Sequence, residues 1–249
     1  MTEPVFAFDF SEYFGDSYLD TLDIFKPGGQ SDDDATRFVR LGGLQPGDLV
    51  LDIGCGEGRL TRRLAGAGIR VRGIDSSPLL IDRARELNGE LAGSSFEVGD
   101  MRSLEGESPV DCALFAMDAF GYFEDDVNEA VLAGVANLVR PGGAVVLEVT
   151  SRELATRALP GNDVLEWDGN LLVDQSDFDV VTGRAHGVRT LVRADGRRSV
   201  ARYSLRLYGV HELVDLLKRV GARDVGVVDQ DDVPPHLGSQ RLTYVARFA

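Results

Sequence analysis

The sequence predicts an α/β chain: a parallel sheet covered by helices on both faces, into which a small antiparallel sheet is inserted. Three observations carry this. From Gly47 to Val149 short apolar runs alternate with helical patterns, the signature of a parallel sheet with helical crossovers. Between Asn162 and Leu207 the pattern changes to period-two alternation broken by Thr182-Gly183 and Asp195-Gly196, and Asp-Gly between alternating runs is a strong hairpin signal. Helical periodicity then returns at Val210–Val220, where Leu213, Leu216, Leu217 and Val220 share a face and Gly221 ends the run.

Taken in order, residues 1–46 read as helical and aromatic, with Phe6, Phe8, Phe10, Tyr13, Phe14 and Tyr18 suited to covering one edge of the sheet. Leu49–Ile53 reads as a buried first strand that breaks into Gly54-Cys55-Gly56-Glu57-Gly58, and a helix follows through Leu60, Leu64 and Ala65. Ile69–Asp75 is the second strand. Ser76-Ser77-Pro78 caps the next helix, with proline in the first turn, where its missing N–H has no partner to lose. Ser95–Val98, Asp111–Met117 and Ala144–Val149 are the next three strands, the last following the turn Pro141-Gly142-Gly143. Three or four antiparallel strands fill 162–207, and strands at Val225–Val228 and Leu242–Ala246 close the chain.

At 249 residues, 43% of them apolar, the chain has the material for one large α/β domain or two small ones. Its formal charge of −15 argues against a partner held by its phosphates, since affinity for nucleic acid comes largely from Lys and Arg neutralising phosphate. The cysteines, Cys55 and Cys112, sit in apolar β-like contexts with no histidine or second cysteine at metal spacing. No disulfide framework is expected, which fits a reducing cytoplasm. Neither a secretory signal nor an apolar run of the ~20 residues a bilayer requires is visible, so no membrane partner is expected.

Ligands of open parallel sheets bind outside the carboxyl ends of the strands. There Gly54 permits a tight turn and Gly56 lets a ligand approach the backbone closely. The positive end of the following helix suits a carboxylate. Asp75 ends the second strand roughly 20 residues on, where an acid takes ribose hydroxyls. A dinucleotide fingerprint would put its last glycine at position 59, which is Arg59; here it falls at Gly58.

Val50-Leu51-Asp52-Ile53-Gly54-Cys55-Gly56-Glu57-Gly58 resembles motif I of the class I S-adenosylmethionine (SAM)-dependent methyltransferases. Gly73-Ile74-Asp75-Ser76-Ser77 resembles their second motif and Gly99-Asp100-Met101-Arg102 their third. Asp111 to Tyr122 is similar to their fourth strand and its loop, and Leu138 to Gly143 to the turn before strand five. The five stand in the family's order and cover roughly residues 47–150. The resemblance implies a Rossmann-like sheet, mostly parallel with an antiparallel last strand. It implies SAM as cofactor, with S-adenosylhomocysteine (SAH) as product. Asp52, Gly54 and Gly56 would line the methionine end, Asp75 would take both ribose hydroxyls, and Asp100 would accept from the adenine amino group with Met101 packing on the ring. Ser76, Ala116 and Met117 would supply pocket wall. The strands at 162–207 look like the insertion of small-molecule methyltransferases that include sugar N-methyltransferases of antibiotic pathways. That branch implies N-terminal lid aromatics, here Tyr13 and Tyr18. The expected organisation is a lid at 1–46, a SAM-binding core at 47–150, an antiparallel insertion at 151–208 and closing elements at 209–249.

Methyl transfer is an in-line displacement, so positioning and a suitably charged surround are the main requirements. The loop Asp118-Ala119-Phe120-Gly121-Tyr122 lacks the Asn/Asp-Pro-Pro-Tyr sequence of enzymes that methylate exocyclic or amide nitrogens, and the Pro-Cys of cytosine C5 enzymes. With the acidic balance this disfavours nucleic acid as substrate; the expected acceptor is a small molecule, methylated at nitrogen or oxygen and less readily at carbon. A general base is needed only for an acceptor that arrives protonated. The candidates are Asp118, His211 at a helix start and His236 after Pro234-Pro235, with His186 within an insertion strand facing either way. The run Asp32-Asp33-Asp34 reads as a solvated helix start rather than a metal site, and no metal is expected. The insertion and the aromatic segment are the parts left to form an acceptor pocket, with Trp167, Arg189, Tyr203 and Arg206 as possible walls; the insertion also offers a homodimer surface. Two other readings stay open: a SAM-binding enzyme of this fold that catalyses a cyclisation, and a non-catalytic SAM-binding module.

Overall fold

The N-terminal region folds into α1 (Phe10–Tyr13), α2 (Asp16–Leu19), α3 (Leu22–Phe25) and α4 (Gln30–Gly42) in the computed structural model, which describes residues 8–25, 30–89, 91–104 and 108–249. Phe6 of the expected aromatic segment lies outside the described residues. Asp9 starts α1 as its N-cap, its carboxylate accepting from the backbone N–H groups of Ser11 and Glu12. Asp34 departs from the expected solvated run. It is half-buried on α4, and burial raises its carboxyl above the usual range.

The central sheet contains β1 (Leu49–Ile53), β2 (Arg70–Asp75), β3 (Ser94–Val98), β4 (Val110–Phe115), β5 (Val139–Thr150), β10 (Asp224–Asp229) and β11 (Arg241–Arg247). Their order is β10-β11-β5-β4-β1-β2-β3. Strands β1 to β5 pair in parallel, β11 runs antiparallel to β5, and β10 runs antiparallel to β11. The antiparallel last strand is as expected. Between the strands lie α5 (Arg59–Gly66), α6 (Pro78–Asn88), α7 (Asp125–Leu138) and α9 (Val210–Arg219). Ser77 caps α6 and accepts from the Leu80 N–H, with Pro78 at its first position.

Alternation along β1 explains the two-sided burial. Leu51 and Ile53 join a cluster with Phe115, Leu147 and the α7 and α9 residues Val131 and Leu213. Val50 faces the other way, with Leu114 and Val146, against Phe38 of α4 and Leu60 and Leu64 of α5. Phe38 is 2% exposed, so α4 is anchored in the core beside β1. Removing such a ring leaves a cavity worth about 3–5 kcal/mol.

The insertion follows α8 (Arg152–Ala155) and is a four-stranded antiparallel meander of β6 (Gly161–Trp167), β7 (Asn170–Asp179), β8 (Arg184–Val192) and β9 (Arg198–Arg206). Its first hairpin turns at Asp168-Gly169, a pair the sequence reading passed over. Both residues have positive φ, +47° and +77°, as a two-residue type I′ turn requires. Buried Arg184 ties the meander to the core, donating from Nη1 to the Phe123 carbonyl at 2.8 Å and from Nη2 to that of Tyr122 at 3.1 Å. Among the described residues no helix is long and apolar enough to cross a membrane.

Candidate active site

A cavity of about 710 Å³ lies at the carboxyl ends of β1, β2 and β4, with residues of α1 and α2 forming its cover. Its floor is the glycine loop. The N–H groups of Gly54 and Cys55 both donate to the Ile74 carbonyl, which binds the loop to β2. Gly56 has φ +56°, and a Cβ built there would meet nothing within 4 Å, so its backbone faces open space. Gly58 has φ +75° for a different reason: a Cβ there would fall 2.3 Å from the Phe96 ring. One glycine leaves room for a ligand and the other for the core.

Asp75 is 9% exposed and lines the cavity. Its Oδ2 accepts from the Gly56 N–H and its Oδ1 from the Ser77 N–H, each at 2.9 Å. Each oxygen retains lone-pair capacity beyond that bond. Burial raises the Asp75 carboxyl above its usual range, and the two N–H bonds pull the other way. Asp52, 2% exposed at the end of β1, accepts from the Thr61 hydroxyl at 2.7 Å. An open glycine backbone beside a buried carboxylate with spare acceptor capacity fits the ribose and methionine parts of SAM.

Asp100 and Met101 line the cavity next to β3. The Asp100 carboxylate is engaged by Arg102, whose Nε donates to both oxygens at 3.0 Å, and this pairing holds the carboxyl below its usual range. Ser76, Ala116 and Met117 contribute wall, and Phe10, Phe14, Tyr18 and Tyr122 add aromatic surface. The rings of Phe14 and Tyr18 meet edge to face at 5.0 Å, and those of Phe14 and Tyr122 at 5.7 Å.

Four of the expected site residues stand elsewhere. Tyr13 does not line the cavity. Phe10 and Phe14, four residues apart, take the cavity side of α1, and Tyr13 turns to the insertion, where Arg189 lies 5.2 Å over its ring and Tyr203 meets it at 5.6 Å. Asp118 is drawn behind the wall. Its carboxylate accepts from the Thr150 N–H and hydroxyl and pairs with Arg241 at 3.2 Å. His211 is exposed on α9, because Leu213, Leu216 and Leu217 take the buried face of that helix. His236 is exposed in the loop before β11, its Nε2 3.3 Å from Asp229 and its Nδ1 accepting from the Gly238 N–H. No residue of β6 to β9 lines this cavity, while Leu172, Arg189, Leu191, Ser199 and Ala201 of the insertion meet Tyr13 and Tyr18 around a small second pocket. The insertion braces the cover from behind through Arg189 and Tyr203 at Tyr13, and through an Arg193–Asp20 ion pair at 2.6 Å.

Sequence reasoning passed over Arg59, Ser77 and Arg102 as lining residues. Ser77 and Arg102 lie within the second and third motifs and Arg59 directly follows the first, so proximity was the available signal. Met117 and Asp118 also carry unexpected positive φ, +53° and +62°. Glu148 pins this left-handed pair, its carboxylate accepting from the Met117 N–H and its carbonyl from that of Asp118.

Residues 50–143 match the family model of a methyltransferase domain. That stretch is thus similar to a methyltransferase domain, and the sheet order is that of the class I SAM-dependent methyltransferase fold. More particularly, core and insertion together match the methyltransferase CcbJ of Streptomyces caelestis, with a TM-score of 0.82 and 22% identity over 95% of this chain and 98% of that one. CalS10 of Micromonospora echinaspora, an amino pentose methyltransferase of calicheamicin biosynthesis, matches with a TM-score of 0.67 and 19% identity over 99% of this chain and 100% of that one. In sequence, a ubiquinone biosynthesis O-methyltransferase of Xanthomonas campestris pv. campestris is 33% identical over 116 residues, 46% of this chain and 48% of that protein. The matched stretch spans about half the length of the curated relatives.

Proposed function

We propose that the chain is a SAM-dependent methyltransferase acting on a nitrogen or oxygen of a small-molecule acceptor. The observation that carries this is the junction of Gly56, with its backbone open to the cavity, and Asp75, whose carboxylate meets the same loop from β2. We assign Asp52, Gly54 and Gly56 to the methionine end, Asp75 to the ribose hydroxyls, and Asp100 and Met101 to the adenine. Ser76, Ala116 and Met117 are wall, and Tyr18 belongs to the cover. When bound, SAM supplies a methyl group on a positively charged sulfur. The chain's own part is to hold that group in line with the acceptor and to keep water away through Phe10, Phe14, Tyr18 and Tyr122. Asp118, His211 and His236 stand outside the lining of this cavity, and a base is needed only for an acceptor that arrives protonated.

A small acceptor is supported by the charge of −15, which disfavours nucleic acid, and by the activities of CalS10 and the ubiquinone-pathway relative. We read residues 8–25 as the cover, 47–150 as the SAM-binding core, 151–208 as its brace and 209–249 as the closing layer. Free Cys55 and Cys112 suit a reducing cytoplasm. Exposed Val164 and Leu165 on the outer strand β6 make the insertion the place to look for self-association. The test is incubation with methyl-labelled SAM and a panel of amines, amino sugars and phenols, read by mass. Gain of one labelled methyl by an acceptor is the expected result. An isomerised product with SAM unconsumed, or no turnover with any acceptor class, overturns the assignment.

A further inference from the structure

Arg59, the first residue of α5, lines the cavity with a guanidinium whose Nη1 is shut off from solvent and has no hydrogen-bond partner among the described residues. Its Nη2 lies 3.3 Å from the Met117 sulfur, a weak acceptor. Asp34 and Glu57 are near enough to act on the group electrostatically, yet neither forms an ion pair with it among the described residues, and burial lowers its pKa. Arg62, one turn further on, also lines the cavity, but its orphaned atom is the inner Nε.

A buried charged donor without an acceptor is costly, and folded proteins hold few of them. An anion held in the cavity that Arg59 lines would supply the missing acceptor. A planar guanidinium is matched best by the paired oxygens of a carboxylate or phosphate. Arg59 directly follows the glycine loop and reaches Met117 in the loop after β4, and the positive end of α5 adds to its pull on an anion. In the placement proposed above, the anion at that end is the carboxylate of the amino-acid tail.

We propose that Arg59 is the counter-ion of that carboxylate and makes the site selective for adenosyl ligands whose tail carries it. This rests on the SAM assignment. The test is calorimetric titration of wild-type protein, Arg59→Met and Arg59→Lys with SAH and with decarboxylated SAH, whose tail lacks only the carboxylate. Wild type is expected to prefer SAH by about 10- to 100-fold, the worth of one charge-assisted contact. Arg59→Met should lose most of its SAH affinity and bind the two ligands within about twofold, the limit of simple additivity. Arg59→Lys should keep part of the preference, as a point charge without the paired geometry. An unchanged preference in Arg59→Met, or an equal loss for both ligands, overturns the proposal and leaves the SAM assignment standing. A wild type that binds both ligands equally does the same. A wild type that binds neither overturns the SAM assignment itself. Should Arg59→Met fail to fold, the preferences of wild type and Arg59→Lys decide the matter.

Discussion

Replacing Asp75 with alanine removes the acceptor assigned to both ribose hydroxyls. Hydrogen bonds to a charged group contribute about 1.5–3 kcal/mol each, so even the low end for two bonds is about 3 kcal/mol, a loss of roughly 100-fold in SAH affinity. The fold should suffer less. The Gly56 and Ser77 N–H groups lose their acceptor, but both residues border the cavity, where water can replace it, and removing a buried charge offsets part of the loss. Asp75→Asn is the sharper variant. Both carboxylate oxygens accept from a backbone N–H, so one of them must be exchanged for an amide NH₂ facing another donor. The asparagine variant should therefore bind SAH no better than the alanine variant. The assay is calorimetric titration, with far-UV circular dichroism as the folding check. An SAH dissociation constant within about threefold of wild type in folded Asp75→Ala, far short of the expected loss, refutes the assignment.

Gly56→Ala and Gly58→Ala should separate binding from folding. At Gly56 the added methyl meets no protein atom, so beyond a left-handed strain of about 1–2 kcal/mol its effect is weaker SAH binding in titration. At Gly58 the same strain is joined by a 2.3 Å approach to Phe96, and thermal denaturation should show the larger fall in melting temperature there. Tyr13→Phe should leave SAH affinity within about twofold of wild type, since the residue is turned away from the cavity. Arg189→Met leaves Asp174, paired to Arg189 at 2.6 Å, without its cation and the Tyr13 ring without its cover, so limited proteolysis should cut faster within residues 8–25. SAH affinity should also fall on acidification. The Asp75 carboxyl is raised above 3.8 by burial, so it protonates, and its hydroxyl-accepting charge is lost, as pH drops through that raised value; titrations in Asp75→Ala should lack this dependence. For stability the sign is opposite: this raised group destabilises the fold fully above its folded-state pKa, and the penalty fades as the pH falls from there to the unfolded value of 3.8.

Local signals carried most of the core. Leu49–Ile53, the glycine loop and Asp75 form one strand-turn-helix-strand unit in which each residue's role follows from near neighbours, and Ser77-Pro78 starts α6 by the same local logic. The misplaced residues depended on distant partners. Tyr13 faces Arg189 and Tyr203 because of where the meander docks, and no pattern within residues 8–25 records that docking. Asp118 stands in a loop that could present it to a ligand, but Thr150 and Arg241, from two other strands, take its carboxylate. His236 looked available after Pro234-Pro235, and only the fold brings Asp229 to it. Counting hairpins from Asp-Gly pairs succeeded at Asp195-Gly196 and would have found Asp168-Gly169 by the same rule, since the turn chemistry is written in the dipeptide itself.

The central claim, that the cavity over Gly56 and Asp75 is a SAM site, is tested most directly by titrating the purified protein with SAH and with NADH in a calorimeter. One SAH per chain, with no heat from NADH and no displacement of SAH by it, is the predicted result; NADH binding in place of SAH, or no binding of SAH at all, contradicts it.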